Sequence, residues 1–299
     1  NFRPEFDTWD PANEGLYGKR RGDTEPPRPE DALKWERVMN ELIVNYQPDY
    51  IFVDGGVCDA LAEYKKDYFS NAFRRVVANY YNDSLEKNKN VAISWKRDAL
   101  KAEEGIYDNE GKLEDGIKSR PWQAHYTVNG SWGYTGDKPA WPTEHLLRGF
   151  IDIVSRNGNL LLNIGPRPDG TLGKGQENAL LEIGEWMQVN GEGIKKSKPW
   201  LIFGEGKLNS LQAGGTDTWK YEKTAIRYTK KNDQLYAWFV DWPEDGQVKL
   251  PQAAQFKAKK IDLLSSNGDL AFSFEGNDLV VNLPMKKTGK FVWGLRLTR

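Results

Sequence analysis

Tyr46-Gln47-Pro48-Asp49-Tyr50-Ile51-Phe52-Val53-Asp54-Gly55-Gly56 is an apolar run that ends in a carboxylate and two glycines. Ile51, Phe52 and Val53 are β-favouring and apolar on both faces, which predicts a buried strand of a parallel sheet. The glycines end the strand and permit a sharp turn. Asp54 therefore falls at the carboxyl end of a buried strand, where α/β barrels place their chemistry. A lone Asp-Gly also serves as a helix cap, so the rest of the chain has to decide between the two roles.

Working outward, residues 31–45 read as a helix, with Leu33, Val38, Leu42 and Ile43 turned to a core. Residues 59–81 read as a second helix, with Leu61, Tyr64, Phe69, Phe73 and Val76-Val77 on its apolar side, and 91–95 as the next parallel strand. This β–α–β rhythm implies a sheet covered on both faces. A polar stretch from Lys96 to Arg120 reads as a long functional loop carrying Glu103, Glu104, Asp108, Glu110, Glu114 and Asp115. A strand at 122–128 follows, then a Gly/Trp-rich turn and a helix over 143–156 with Thr143 as its N-cap. Asn157-Gly158 closes that helix, and a buried strand over 159–164 and a helix near 175–190 come next. After Pro199 the pattern changes to short alternating segments at 224–229, 234–241, 247–250, 260–264, 270–274, 278–283 and 290–297, which predicts an antiparallel β-sandwich.

Composition narrows the function. The 299 residues carry 42 basic and 43 acidic side chains, a net charge of −1, which argues against capture of nucleic acid or of an anionic membrane. No stretch has the length of a membrane span. The single cysteine, Cys58, excludes an intrachain disulfide and a cysteine-based zinc cluster. Two histidines, His125 and His145, leave little for a histidine-rich metal site, and both read as ordinary polar residues. No cofactor or metal is expected. Twelve tryptophans lean toward carbohydrate, because the apolar faces of sugar rings stack on flat aromatics, although tryptophan also fills cores.

Three blocks carry a resemblance. They are the Tyr46–Gly56 stretch; Trp122-Gln123 with Gly130-Ser131-Trp132-Gly133-Tyr134; and Asp152-Ile153-Val154-Ser155-Arg156-Asn157-Gly158 running on through Asn163-Ile164-Gly165-Pro166 to Asn190-Gly191-Glu192-Gly193. Together with Phe203-Gly204-Glu205-Gly206 they make the chain similar to the α-L-fucosidases of glycoside hydrolase family 29, in the family's order over essentially the whole length. The resemblance implies a (β/α)8-like (TIM) barrel in residues 1–199, represented by its C-terminal portion, followed by a β-sandwich domain in residues 200–299. The family's first barrel strands and their histidine motif have no counterpart here, so the missing half-barrel is expected as a separate segment or as part of a longer parent.

The resemblance further implies a retaining exo-α-L-fucosidase with Asp54 as nucleophile. Glu110, in Asp108-Asn109-Glu110-Gly111 twelve residues before Trp122, is the implied acid/base, with Glu103, Glu104 and Glu114 as alternatives. Retaining chemistry requires two carboxyl groups about 5–5.5 Å apart, one ionised and one protonated. Lys96 or Arg97 is the implied basic, sugar-binding residue, placed to bond a sugar hydroxyl or the nucleophile. Trp132 and Tyr134 are the aromatics implied to pack on the C5-methyl side of fucose, whereas the Asn159–Pro166 block reads as structural. The expected partner is a fucosylated oligosaccharide or glycoconjugate, in a secreted, periplasmic or lysosomal setting, and a homo-oligomer is compatible with the sequence. The alternatives are a non-catalytic or degenerate carbohydrate-binding protein, with 200–299 as a lectin-like module, and a glycosidase acting on a sulfated fucan or a galactoside.

Overall fold

A strand forms over Tyr50–Val53, leading into Asp54, and it is flanked by helices that share its core. The computed structural model describes residues 4–20, 28–54, 67–96, 100, 103–110, 114–208, 221–266 and 268–299. The chain divides into two compact units, Asn1–Asp108 and Asn109–Arg299.

In the first unit a one-turn helix, α1 (Glu14–Tyr17), precedes α2 (Pro29–Tyr46), β1 (Tyr50–Val53), α3 (Asp67–Glu86), β2 (Ala92–Lys96) and β3 (Ile106–Asp108). The strands are parallel: Val53 lies opposite Trp95, and Lys96 opposite Asp108. Ile43, Val53, Phe73, Val76, Tyr80, Ile93 and Trp95 form the core. The Tyr80 hydroxyl donates to the Pro48 carbonyl at 2.9 Å, fixing α3 to the entry of β1.

Three expectations need correction here. In α2 only Ile43 of the four expected residues is buried. Leu33, Val38 and Leu42 are exposed, and the packed face is Ala32, Trp35, Met39 and Ile43. Both sets satisfy helical spacing, and the larger tryptophan and methionine side chains take the core. In β1 only Val53 is buried, while Ile51 and Phe52 are partly open. The polar stretch after Lys96 is not all loop, since Ile106–Asp108 adds a strand to β2. Three residues are too few to show an alternation. Leu61, Tyr64, Cys58 and Arg97 lie outside the described residues.

The second unit begins with β4 (Trp122–Thr127), α4 (Thr143–Ser155), β5 (Gly158–Asn163) and α5 (Lys174–Asn190). β4 and β5 are parallel, with His125 opposite Leu161. Thr143 does not cap α4. It is the first helical residue, and its hydroxyl donates to Glu182 of α5. The turn between α4 and β5 depends on Gly158, where any Cβ would sit 2.6 Å from Trp122 and Ile153 side-chain atoms.

The remaining strands are β6 (Gly204–Glu205), β7 (Ile226–Lys231), β8 (Gln234–Phe239), β9 (Gln247–Leu250), β10 (Lys260–Leu263), β11 (Phe272–Glu275), β12 (Asp278–Asn282) and β13 (Trp293–Thr298). They build two antiparallel sheets, ordered β10-β13-β8-β7-β6 and β11-β12-β9. Leu235, Ala237 and Phe239 of β8 meet Val248, Leu250, Leu279 and Val281 in a shared core, which makes the pair of sheets a sandwich. The opposite face of β8 is buried too. Tyr236, Trp238 and Val240 pack with Leu147 and Ile151 of α4 and Trp186 of α5. Helices and sandwich therefore share a core across residue 199.

A buried charge cluster ties the same elements. Oδ1 of Asp152, on α4, accepts from Arg156 Nε and Nη2 at 3.3 and 3.2 Å and from Arg227 Nε of β7. Arg156 lies 3.8 Å above the Phe203 ring, and Arg227 lies 5.3 Å from it. Arg227 also donates to the carbonyls of Glu205 and Gly206 at 2.9 and 3.1 Å. Burial pulls the Arg227 guanidinium below its ordinary pKa, and Asp152 opposes that pull. One carboxylate oxygen shared by two cations, with carbonyls and a ring around them, offsets part of the cost of sealing these charges away from water, while Asp152 Oδ2 is buried without a hydrogen-bond partner.

Candidate active site

β1 ends at Val53, so the carboxylate of Asp54 stands just past the strand's carboxyl end, with its side chain 69% exposed. The adjacent parallel strand β2 ends at Lys96, whose side chain is 8% exposed, and its ammonium meets Asp54 Oδ1 at 2.5 Å. Nζ of Lys96 also lies 5.5 Å from the Phe52 ring centroid. A buried stem thus delivers a fixed positive charge to an open carboxylate. Lys96 is the last residue of its strand rather than the first of a loop.

In the second unit, the Asn109 amide donates to the Gln123 carbonyl at 2.8 Å and sets Glu110 beside β4. Glu110 Oε1 lies 3.6 Å from His125 Nε2; the glutamate side chain is 45% exposed and the histidine 6%. The His125 ring packs against Trp132, with centroids 4.9 Å apart. Trp132 and Tyr134 are both exposed.

The turn that carries these aromatics is built from the third sequence block. Asn163 Nδ2 donates to the Trp132 carbonyl at 2.9 Å. Gly165 backs against Gly133, where a Cβ would come within 2.8 Å of the Gly133 carbonyl oxygen. Gln176 Nε2 donates to the Gly165 carbonyl at 3.2 Å, and its Oε1 accepts from the Gly165 amide at 3.0 Å. The Arg167 guanidinium pairs with Asp137 through two hydrogen bonds and closes the far side of the turn. That arginine holds the Asp137 carboxyl below the usual range, with a smaller contribution from the Tyr134 hydroxyl. The Asn159–Pro166 block therefore acts as the backing of the aromatic turn, a role that sequence spacing does not reveal.

The alternative glutamates differ in their surroundings. Glu114 accepts from Asn109 Nδ2 at 2.9 Å and pairs with Lys118 at 2.6 Å, while its carbonyl accepts from Arg156. Its carboxylate is committed to holding the segment between Asn109 and β4. Glu103 and Glu104 are exposed and belong to the first unit. Trp122 is buried, with its indole N–H on the Arg156 carbonyl at 3.0 Å. His125, read from the sequence as an ordinary polar residue, lies 3.6 Å from Glu110. Its position facing the same side of β4 as Gln123 was visible in the strand period, but its contact with Glu110 was not. Among the described residues, no group of three or more His, Cys, Asp or Glu is arranged to hold a metal ion.

A carboxylate just past the carboxyl end of a parallel strand is the placement used by barrel glycoside hydrolases. Comparison with known proteins narrows that class. A family model described as alpha-L-fucosidase matches residues 4–192, and one described as alpha-L-fucosidase C-terminal domain matches residues 220–298. The chain belongs to the α-L-fucosidase family, glycoside hydrolase family 29. Rat tissue alpha-L-fucosidase is 30% identical over 274 residues, covering 87% of this chain and 54% of the relative. The human tissue enzyme is 29% identical over 271 residues, covering 87% and 53%. A structure of the Thermotoga maritima alpha-fucosidase with a mechanism-based inhibitor superposes with a TM-score of 0.72 at 22% identity, covering 90% of this chain and 57% of that one. Isoenzyme 1 from Paenibacillus thiaminolyticus gives a TM-score of 0.68 at 22% identity, covering 96% and 65%. These likenesses establish the fold as part of a fucosidase barrel followed by its β domain. The chain spans about half the length of the curated relatives it matches.

Proposed function

We propose that the chain carries the catalytic carboxylates of a retaining exo-α-L-fucosidase that removes terminal α-L-fucose from glycans. The observation that carries this reading is the Asp54 carboxylate, open to solvent at the end of a parallel strand and tethered by the buried Lys96. Asp54 attacks the anomeric carbon while Glu110 donates a proton to the departing glycosidic oxygen. Water then enters, Glu110 takes its proton, and the fucosyl ester on Asp54 is hydrolysed. Lys96 holds Asp54 in place and offers a donor to a sugar hydroxyl. His125 positions Glu110, and Trp132 and Tyr134 receive the apolar C5-methyl side of the sugar. Arg97 stays with Lys96 as the alternative cation.

The two family matches, over 4–192 and 220–298, support a functional division near residues 199/200. Among the described residues no helix is long and apolar enough to cross a membrane. Export or a lysosomal address follows from the extracellular or lysosomal occurrence of fucosylated glycans.

The test is hydrolysis of p-nitrophenyl α-L-fucoside by purified protein containing this chain. Asp54→Asn is expected to lose activity by a factor on the order of 10⁴ or more, as removal of a nucleophile does elsewhere. Asp54→Gly with azide is expected to form fucosyl azide. Undiminished turnover in Asp54→Asn sinks the nucleophile assignment. Faster turnover of a galactoside or a sulfated fucan than of the fucoside moves the substrate instead, because galactose brings a 6-hydroxyl that fucose lacks.

A further inference from the structure

The turn from β8 to β9 reads Val240-Asp241-Trp242-Pro243-Glu244-Asp245-Gly246. Its shape is fixed locally. Gly246 donates its amide to the Pro243 carbonyl at 3.2 Å and has φ +71°, and the Asp245 carboxylate accepts from the Gln247 amide at 3.0 Å. This rigid turn borders a cavity of about 540 Å³ at the edge of the sandwich. Ile226, Phe239 and Val248, all members of the sandwich core, form part of its lining. Trp242 adds a half-buried indole, held edge-on against Trp293 at 5.6 Å and tilted against Phe239 at 5.9 Å. Asp241, Glu244, Asp245, Lys223 and Lys249 complete the lining with charge. No residue of the proposed catalytic set borders this cavity.

The chemistry of the lining selects the occupant. Its carboxylates outnumber its ammonium groups, and Lys249 is already paired with Asp278 and Glu275 at 3.2 and 3.6 Å, so an anion is poorly served. No metal-holding cluster exists among the described residues, so a bound cation lacks ligands. A mixed lining, with one fixed indole and apolar core residues beside carboxylates of which Asp241 lies 3.9 Å from Lys223, suits a neutral polyhydroxylated ring. Its C–H face covers the indole, and its hydroxyls donate to Asp241 and Glu244. The volume lies within the range of about 300–1,000 Å³ used for small ligands. We infer that the β domain carries a second carbohydrate-binding site at Trp242, which holds a neutral pyranose unit of a glycan and is separate from hydrolysis. This inference goes beyond the fucosidase reading and stands whether or not Asp54 is the nucleophile.

The experiment is a ¹H–¹⁵N correlation spectrum of the tryptophan indoles of the purified protein, titrated with methyl α-L-fucoside and, separately, methyl β-D-galactoside. Trp242→Phe assigns the Trp242 signal. The expected result is a saturable shift of that signal with at least one glycoside, weakened about tenfold (~1.4 kcal/mol) in Asp241→Asn. If the Trp242 variant unfolds, Glu244→Gln, at an exposed rim position, identifies the Trp242 signal as the indole it perturbs. A Trp242 signal unmoved by both glycosides overturns the inference, and so does one moved by sulfate or calcium instead. Turnover of the aryl fucoside is expected to be unchanged in Asp241→Asn. Loss of turnover in Asp54→Asn, or its persistence, bears on the catalytic reading alone.

Discussion

Asp54 and Asp152 each face a cation, but the first carboxylate is 69% exposed and the second is completely buried. At Asp54 the lysine is the buried partner and the carboxylate is open to solvent. At Asp152 both guanidiniums are packed in, each with further donors on carbonyls, and a phenylalanine ring closes the site. The most characteristic sequence block begins at Asp152, yet its charges serve the architecture. The proposed nucleophile belongs instead to the shorter motif that leads into an open carboxylate. Recognisability in a sequence and proximity to chemistry are therefore separate properties.

The contrast is broken most severely by Asp152→Ala. Removing the carboxylate leaves two buried guanidiniums without their anion, and the expected loss is about 3–5 kcal/mol of stability, read as a shift of the urea midpoint. A loss below about 1 kcal/mol would show that carbonyls and Phe203 alone support both arginines.

Acid tests the same sealed region through His145, also on α4. Burial, with a lesser contribution from Arg148, pulls its pKa down from 6.5 to about 4. The folded state therefore favours the neutral ring, and the unfolded chain takes up the proton first. Stability is complete above pH 6.5 and falls as pH drops from 6.5 toward 4, by up to about 3 kcal/mol. His145→Gln is expected to flatten that part of the stability–pH curve, and an unchanged slope would assign it to other groups.

The smallest effect sharpens the open side of the comparison. Lys96→Met keeps the buried stem and removes the charge. The expected outcome is a drop of about 10–100-fold in kcat/KM, the scale of a hydrogen bond to a charged group, with little movement of the thermal midpoint. Lost stability with unchanged activity would make the Asp54 pair a second structural clamp.

Much of the framework was legible in the chain because it is local. The run into Asp54 gave the strand, the change of period after Pro199 gave the sandwich, and the glycine at 158 gave the turn. The misreadings share one cause. Helical spacing admitted two apolar faces for α2, and only packing chose Trp35 and Met39 over Leu33 and Leu42. Ile106–Asp108 was too short to show a period and became a strand through its pairing with β2. His125 looked like any polar residue until folding set Glu110 beside it.

By itself, then, the sequence determined the family, the order of the longer elements and the carboxylate that follows β1, since each is written in contiguous residues. Tertiary structure alone decided which cation meets which carboxylate, that β8 is buried on both faces, and that a distant arginine at 227 completes the cluster begun at Asp152. The physical reason is that burial and charge pairing act between segments far apart in the chain. A periodic pattern records that a face is apolar, or that a residue is charged, without recording what it will meet.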